Sequence, residues 1–305
     1  MPKIKVEKIA QLTGHNASIF ALGPGQPNNH FLSGAGDGWI VRWDLEQPEN
    51  GRLIAKVETQ VFAICPLPEQ EKVVVGNMNG GVHWVDLQQP EQTRNIAHHE
   101  KGVFAIETLD ESVFTLGGQG KLTRWNRASG QALESLQLSN QSLRSIAIAP
   151  DGKTMAIGSS DNNIYLIDTA TLTLRHTIKG AHDNSVFALA YRQDGKYLLS
   201  GGRDAHLKVW KMGSPPELAD DKPAHWYTIN SIAPSPCGRW IATGSRDKTV
   251  KIWDAHTFEL LKVLETVRDQ GHLNSVNRLL WSDYQDFLIS GSDDRSLIIW
   301  QVGLS

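Results

Sequence analysis

Residues 244–254 read GSRDKTVKIWD, and residues 291–301 read GSDDRSLIIWQ. Each segment places a turn centred on Asp before a short apolar strand that ends in Trp. The same order recurs in GGRDAHLKVWK at 201–211, GAGDGWIVRWDL at 34–45 and GGQGKLTRWN at 117–126. Two more segments, GNMNGGVHWVDL at 76–87 and GSSDNNIYLID at 158–168, carry Val85 and Ile167 at the Trp position. The chain therefore contains seven copies of one unit.

The spacing of these copies predicts the fold. The last strand of each copy ends at position 43, 85, 125, 167, 210, 253 or 300, so that successive copies lie 42, 40, 42, 43, 43 and 47 residues apart. A period of roughly 40–45 residues is that of a four-stranded propeller blade. The strands, such as YLLSGG at 197–202, are apolar on both faces, and radial stacking of blades covers both. We therefore predict that residues 1–305 form a single all-β domain, a seven-bladed β-propeller of four-stranded antiparallel blades.

A second feature identifies a family. A His precedes the Trp by 28 residues in four repeats, at His15, His182, His225 and His272, and His99 precedes Trp125 by 26. The order Gly-His, apolar strand, Ser-Gly-x-x-Asp and Trp-Asp resembles the WD40 repeat family over essentially the whole chain. The few residues after Trp300 leave no room for a fourth strand in the last repeat. The resemblance implies that an N-terminal strand at about 3–11 completes the last blade and closes the ring.

Four repeats contain a complete set of His, Ser or Thr, Asp and Trp. The resemblance implies that each set is a buried chain of hydrogen bonds from carboxylate to imidazole to hydroxyl to indole, which satisfies every partner. Four copies, with no G-x-S-x-G elbow, indicate structure rather than a hydrolase. Blade 3 has Gln119 at the Asp position, and blades 2 and 4 lack the His and the Trp, so we expect blades 2 to 4 to be the less stable arc. The sets are His15, Ser33, Asp37 and Trp43; His182, Ser200, Asp204 and Trp210; His225, Thr243, Asp247 and Trp253; and His272, Ser290, Asp294 and Trp300.

The resemblance also implies a non-enzymatic scaffold that binds a protein or peptide. The binding face would carry the turns between strands d and a and between strands b and c, where a to d are the strands of a blade in chain order. Three positions per blade would lie on it: one and three residues after the His, which we call the marker, and the residue just before the hairpin Asp. Trp and Arg are enriched in interface hot spots, and blades 5 to 7 place both residue types on this face, whereas blades 2 and 3 place acidic residues there. The candidate contact residues are Trp226, Arg246, Arg203, Leu273, Asp293, Glu58, Met78 and Glu100.

Two other classes of function stay open. The first is a small-molecule binder or enzyme that uses the central channel, where Arg144 interrupts a series of Phe residues. The second is an RNA-contacting subunit of a larger assembly, although the net charge of −3 gives no general attraction to nucleic acid. We expect no metal and no cofactor, because no His/Cys cluster has zinc spacing, no calcium loop is present, and the Gly-rich turns precede no helix.

The cysteines and the polar segments give the remaining expectations. Cys65 and Cys237 fall in blades far apart, beyond the roughly 7 Å that a disulfide allows between Cα atoms. A reducing, cytoplasmic location is therefore expected. No stretch approaches the roughly 20 apolar residues of a membrane span, and we expect a monomeric propeller within a complex. We interpret PPELADDKPAHW at 215–226 as a polar loop.

Overall fold

A computed structural model describes residues 4–304, which form seven four-stranded antiparallel sheets. Within each blade, strands that follow one another in sequence pair with one another, as expected for meanders joined by short turns. The fold class predicted from the repeats is confirmed. The strands of the first four blades, after β1 (Ile4–Leu12), are β2 (Ile19–Pro24), β3 (His30–Ala35), β4 (Trp39–Asp44), β5 (Arg52–Lys56); β6 (Val61–Leu67), β7 (Lys72–Asn77), β8 (Gly81–Asp86), β9 (Arg94–Ala97); β10 (Val103–Leu109), β11 (Ser112–Gly117), β12 (Lys121–Asn126), β13 (Ala132–Gln137); β14 (Leu143–Ile148), β15 (Thr154–Ser159), β16 (Ile164–Asp168) and β17 (Leu174–Ile178).

Blades 5 to 7 follow the same plan. Two short 3₁₀ turns, Pro68–Gln70 and Pro90–Gln92, and one four-residue helix, α1 (Thr266–Asp269), complete the described secondary structure. No helix within residues 4–304 has the length and apolar character to cross a membrane. The remaining strands are β18 (Val186–Tyr191), β19 (Tyr197–Gly202), β20 (His206–Lys211), β21 (Glu217–Pro223); β22 (Ile229–Pro234), β23 (Trp240–Ser245), β24 (Val250–Asp254), β25 (Leu260–Leu264); β26 (Val276–Trp281), β27 (Phe287–Ser292) and β28 (Leu297–Leu304).

The first strand of the chain closes the ring. β1 pairs antiparallel with β28, in a register that runs from Ile4 opposite Leu304 to Leu12 opposite Leu297. The seventh sheet therefore has the order β1-β28-β27-β26, with the N-terminal strand outermost. The predicted closure is confirmed, and the strand extends to Leu12. Lys3, which the prediction included, lies outside the described residues.

The apolar core is divided into seven clusters, one between each pair of neighbouring blades. The cluster between blades 7 and 1, for example, joins Phe287 and Ile289 to Phe31 and Trp43. Each sheet is thus covered on both faces, which explains why its strands are apolar on both sides. The blades stabilise one another in a circle rather than around one centre.

A glycine in β3 permits this close packing. A Cβ at Gly34 would lie only 2.5 Å from Cγ1 of Val61, which belongs to the first strand of the next blade. Real side chains do not approach so closely, so this residue must be small for blades 1 and 2 to meet as they do. The equivalent glycines of blades 2, 4, 5, 6 and 7 face a Val or Ile of the following blade in the same way.

The interpretation of 215–226 as a loop is wrong for most of its length. Glu217–Pro223 forms β21, the outer strand of blade 5, and pairs with β20 from Lys211 opposite Glu217 to His206 opposite Pro223. An outermost strand is solvated, so it lacks the apolar alternation that identifies an inner strand. The last spacing, of 47 residues, is longer than the others because of extra residues near 265–270, and these contain α1.

We predict that deletion of residues 1–11 lowers the melting temperature by roughly 10 °C or more. The deletion removes almost the whole of β1, and with it the ladder to β28 and the packing of Ile4 and Val6 against the interface of blades 6 and 7. Glu7→Ala, which alters an exposed side chain of the same strand, is the control. Thermal denaturation followed by circular dichroism measures the effect. An unchanged melting temperature for the deletion would contradict closure by β1.

Candidate protein-binding face

Each complete set of His, hydroxyl, Asp and Trp forms a continuous chain of hydrogen bonds. In blade 6, Nδ1–H of His225 donates to Oδ2 of Asp247 at 2.8 Å, because an ionised carboxylate can only accept. Nε2 of His225 then accepts from Oγ1 of Thr243 at 2.8 Å, and Nε1–H of Trp253 donates to the same oxygen at 2.9 Å. The same chain is present in the sets of His15, His182 and His272.

The carboxylate of each set also holds the backbone of the face. The N–H of Trp226, the residue after His225, donates to Oδ2 of Asp247 at 3.1 Å. Leu273, Asn16 and Asp183 are held by Asp294, Asp37 and Asp204 in the same way, at 2.9 to 3.0 Å. The residue that follows the His therefore has a fixed backbone.

A second backbone bond brings the two turns of a blade together. The N–H of Arg246 donates to the carbonyl of Thr228 at 2.9 Å, and an equivalent bond is present in all seven blades. It joins the residue before the hairpin Asp to the residue three positions after the marker, so all three predicted contact positions of a blade lie on one face. The other pairs are Gly36 with Ser18, Met78 with Gln60, Gly118 with Gly102, Ser160 with Ser142, Arg203 with Ser185, and Asp293 with Ser275.

The most exposed apolar side chains of this face lie in blades 6 and 7. Trp226 is 87% exposed and Leu273 is 63% exposed. Tyr227, 60% exposed, joins them; the repeat pattern missed it because it falls between two pattern positions, although its place beside Trp226 could have suggested it. Arg203 and Arg246 are exposed as well. We call Arg203, Trp226, Tyr227, Arg246 and Leu273 the Trp226 patch.

Hydrogen bonds place Trp226 between the two arginines. The N–H groups of Ala224 and His225 donate to the carbonyl of Ala205, in the hairpin of blade 5 that carries Arg203. On the other side, Trp226 is bonded to Asp247, in the hairpin that carries Arg246. The backbone order across the face is therefore basic hairpin, aromatic turn, basic hairpin.

Met78, Glu58 and Glu100 lie in blades 2 and 3, apart from this patch, whereas Asp293 lies beside Leu273 in blade 7. Met78 is exposed in blade 2, and Glu58 accepts from Nδ2 of Asn77 at 2.9 Å. Glu100 is exposed in blade 3. Oδ1 of Asp293 accepts from Nδ2 of Asn277 at 2.7 Å, so that carboxylate is partly engaged within blade 7. The structure thus brings together the aromatic and basic candidates, with Asp293 at the edge of the patch, and leaves Glu58 and Glu100 elsewhere on the face.

Blades 2 to 4 contain other polar contacts in place of the complete set. In blade 3, Nε2 of Gln119 donates to Nδ1 of His99 at 3.0 Å, and Nε2–H of His99 donates to Thr115 at 2.8 Å. Oε1 of Gln119 is buried and finds no hydrogen-bond partner within residues 4–304. In blade 4, the hydroxyl of Tyr165 donates to Asp161 at 2.6 Å.

Burial governs the ionisation of these sets. Desolvation lowers the pKa of His99 to about 3 and also lowers the pKa of His15 and His225. Burial opposes the ionisation of Asp204, but the hydrogen bonds from His182 and from the N–H groups of Asp183 and His206 outweigh burial and lower the pKa of that carboxyl to about 2. At neutral pH the imidazoles of His15, His99 and His225 are therefore neutral, and the carboxylates of Asp204, Asp247 and Asp294 are ionised.

The central channel has an aromatic rim. The rings of Phe20, Phe62 and Phe104 follow one another at 5.4 Å between centroids. The guanidinium of Arg144 lies 4.1 Å from the centroid of Phe104 and donates to Ser160 at 3.0 Å, so it is held by protein groups. The cavity along the axis has a volume of about 330 Å³. Residues 4–304 contain no group of three or more His, Cys, Asp or Glu side chains that could hold a metal ion.

Comparisons with known proteins give the family and the fold. The family model described as "WD domain, G-beta repeat" matches residues 6–44, 130–168, 172–211, 221–254 and 260–301, which together exceed half of the chain. The crystal structure of the WD40 beta propeller domain of Doa1 is similar, with a TM-score of 0.85 and 20% identity over 97% of each chain. No curated protein matches the chain. The longest unmatched stretch, 45–129, contains blade 2, which lacks the marker His, and the first three strands of blade 3, which has Gln119.

We predict faster amide exchange in blades 2 to 4 than in blades 5 to 7. A buried chain of satisfied hydrogen bonds raises the free energy of local opening. Blades 2 and 4 lack this chain, and the chain of blade 3 has Gln119, with an Oε1 that is unsatisfied within residues 4–304, in place of the carboxylate. Hydrogen–deuterium exchange with mass spectrometry, compared on the b and c strands of each blade, measures this. Slower exchange in blades 2 to 4 would contradict it.

The pH dependence of stability provides a second test. Below pH 6.5 the unfolded chain protonates His99, whereas the folded chain does so only near pH 3, so stability falls with acid across this window. His99→Gln removes one group that binds a proton in the unfolded chain but not in the folded chain. The slope of the unfolding free energy against pH should therefore fall by about 1.4 kcal/mol per pH unit. Urea denaturation between pH 4 and 6.5 measures the slope, with the exposed His256→Gln as control. Equal slopes for His99→Gln and the wild type would contradict the assignment.

Proposed function

The chain belongs to the WD40 repeat family, and on that premise we propose that it is a non-enzymatic scaffold that holds a protein or peptide partner on the Trp226 patch. WD40 propellers generally mediate protein–protein interaction. The patch combines the two residue types, Trp and Arg, that dominate binding hot spots.

The observation that carries the proposal is the exposure of Trp226 on a fixed backbone. An indole that is 87% exposed forgoes the stabilisation that burial would provide. Its N–H is nevertheless bonded to Asp247, and the residue before it is bonded to Ala205. A large apolar side chain on a backbone that is already fixed costs little further backbone entropy when a partner covers it.

We also propose that the scaffold acts as a monomer within a larger complex, in the cytoplasm. Both cysteines are free, and Cys237 is exposed, which suits a reducing compartment. Size-exclusion chromatography with light scattering tests the monomer, and fractionation of cells tests the compartment.

We predict that the double variant Trp226→Ala, Arg246→Ala loses its partner and keeps its fold. Truncation of two hot-spot residues, at about 2 kcal/mol or more each, weakens binding by roughly 30-fold or more even if the effects are only partly additive. Affinity purification with quantitative mass spectrometry, with melting temperature as the check on folding, measures this. Both side chains are exposed, so the melting temperature should change little.

The matched control is Arg52→Ala, Leu53→Ala on β5, which removes one exposed Arg and one exposed apolar residue from an outer strand of blade 1. The wild type and this control should recover the same stoichiometric partner. Full recovery of that partner by the Trp226 and Arg246 variant would discard the proposed face. A stoichiometric small molecule without any protein would favour a channel ligand instead.

A further inference from the structure

We infer that the partner segment bound at the Trp226 patch is acidic and carries one bulky apolar side chain with acidic residues on both sides of it. This inference rests on the proposed function and specifies the chemistry of its partner. Two observations support it. The cations beside Trp226 have no carboxylate partner within residues 4–304, and Trp226 lies between two hairpins that carry these cations.

Three exposed cations lie on the two hairpins that flank Trp226. They are Arg203 in blade 5 and Arg246 and Lys248 in blade 6. Many surface cations of this chain pair with a carboxylate, as Lys222 does with Asp220. None of these three does so within 4.0 Å, in the part of the chain from 4 to 304. Their donors are therefore free for a partner.

The aspartates next to these arginines, Asp204 and Asp247, do not accept hydrogen bonds from the guanidinium groups. In Asp247, Oδ2 accepts from His225 and from the N–H of Trp226, and Oδ1 accepts from the N–H and the hydroxyl of Thr249. Each of its oxygens therefore has two internal partners. Asp204 accepts from His182 and from the N–H groups of Asp183 and His206. The carboxylates serve the fold, and the guanidinium groups face solvent.

The order of the hairpins sets the pattern of the partner. The exposed aromatic turn of Trp226 and Tyr227 lies between the hairpin of Arg203 and the hairpin of Arg246. An extended segment that places an aliphatic or aromatic side chain on the indole would bring its flanking residues over these two hairpins. Carboxylates match the planar guanidinium as bidentate acceptors.

A nucleic acid is the other polyanion that a basic and aromatic surface fits, since bases stack on aromatic rings. The charges here favour a short acidic peptide. The two hairpins that flank Trp226 provide three cations. On either side of these cations, the face positions carry Asp183 in blade 5 and Asp293 in blade 7. A continuous phosphate backbone would meet these acids, whereas a peptide can end its acidic stretch before them.

Site-specific crosslinking tests the inference. We would replace Tyr227 by the photoreactive p-benzoylphenylalanine in the full chain, irradiate it in an extract of its native cells, and sequence the crosslinked segments by mass spectrometry. The same replacement at Leu53, exposed on β5, gives the background. We expect the segments specific to position 227 to carry acidic residues on both sides of a Leu, Phe, Tyr or Trp.

The segment recovered at position 227 is then synthesised with a fluorescent label and titrated with the protein. Charge reversal by Arg203→Glu, Arg246→Glu should weaken binding by at least tenfold, and affinity should fall as salt increases. The control, Arg52→Glu, Lys56→Glu on β5, should bind as the wild type does.

The outcomes separate the two proposals. Crosslinked segments that are neutral or basic, or that are nucleic acid, overturn the acidic partner; neutral or basic protein segments leave the protein-binding face in place. Unchanged peptide binding by Arg203→Glu, Arg246→Glu also overturns it. Absence of any segment specific to position 227 overturns the proposed face and the inference together.

Discussion

The hydrogen bond from the marker imidazole to the hairpin carboxylate is the constraint on which this face depends. Two supports hold the turn between the outer strand of one blade and the inner strand of the next. The backbone of His225 is bonded to the hairpin of blade 5, and its side chain is bonded to Asp247 in the hairpin of blade 6. Neighbouring hairpins and the turn between them are thereby fixed relative to one another.

This constraint separates what a blade needs for folding from what it presents to a partner. Thr243, Asp247 and Trp253 satisfy the buried end of the chain of hydrogen bonds, and the Gly residues allow the sheets to meet. The residues between the fixed ones, such as Trp226, Tyr227 and Arg246, contribute little to that framework and are free to vary. The face can therefore carry an unusual group of side chains at small cost to stability.

The sequence predicts the fold well because the pattern is repeated. Because the seven copies share one spacing, copies that match the pattern poorly could still be aligned. Val85 and Ile167 were assigned to the Trp position in this way. A single feature without repetition is harder to predict. β21 looked like a loop because a solvated outer strand shows no apolar alternation, and Arg144 gave no sign that it would lie on Phe104.

The candidate site was predictable to a similar degree. The three positions per blade follow from the family pattern, and the backbone bonds bring them to one face. Tyr227 was missed because no position of the pattern corresponds to it. The polar contacts of blades 2 to 4 were also beyond reach, since Tyr165 and Gln119 satisfy their neighbours by geometry that spacing does not encode.

The central claim is that the buried set orders the face that binds the partner. A double-mutant cycle of Asp247→Asn and Trp226→Ala, measured as partner affinity on folded variants, tests it most directly. Coupling is expected: once Asp247 no longer fixes the turn, removal of Trp226 should cost clearly less binding free energy than it does in the wild type. Losses that simply add, within about 0.5 kcal/mol, would contradict the claim that the set and the Trp226 patch act together.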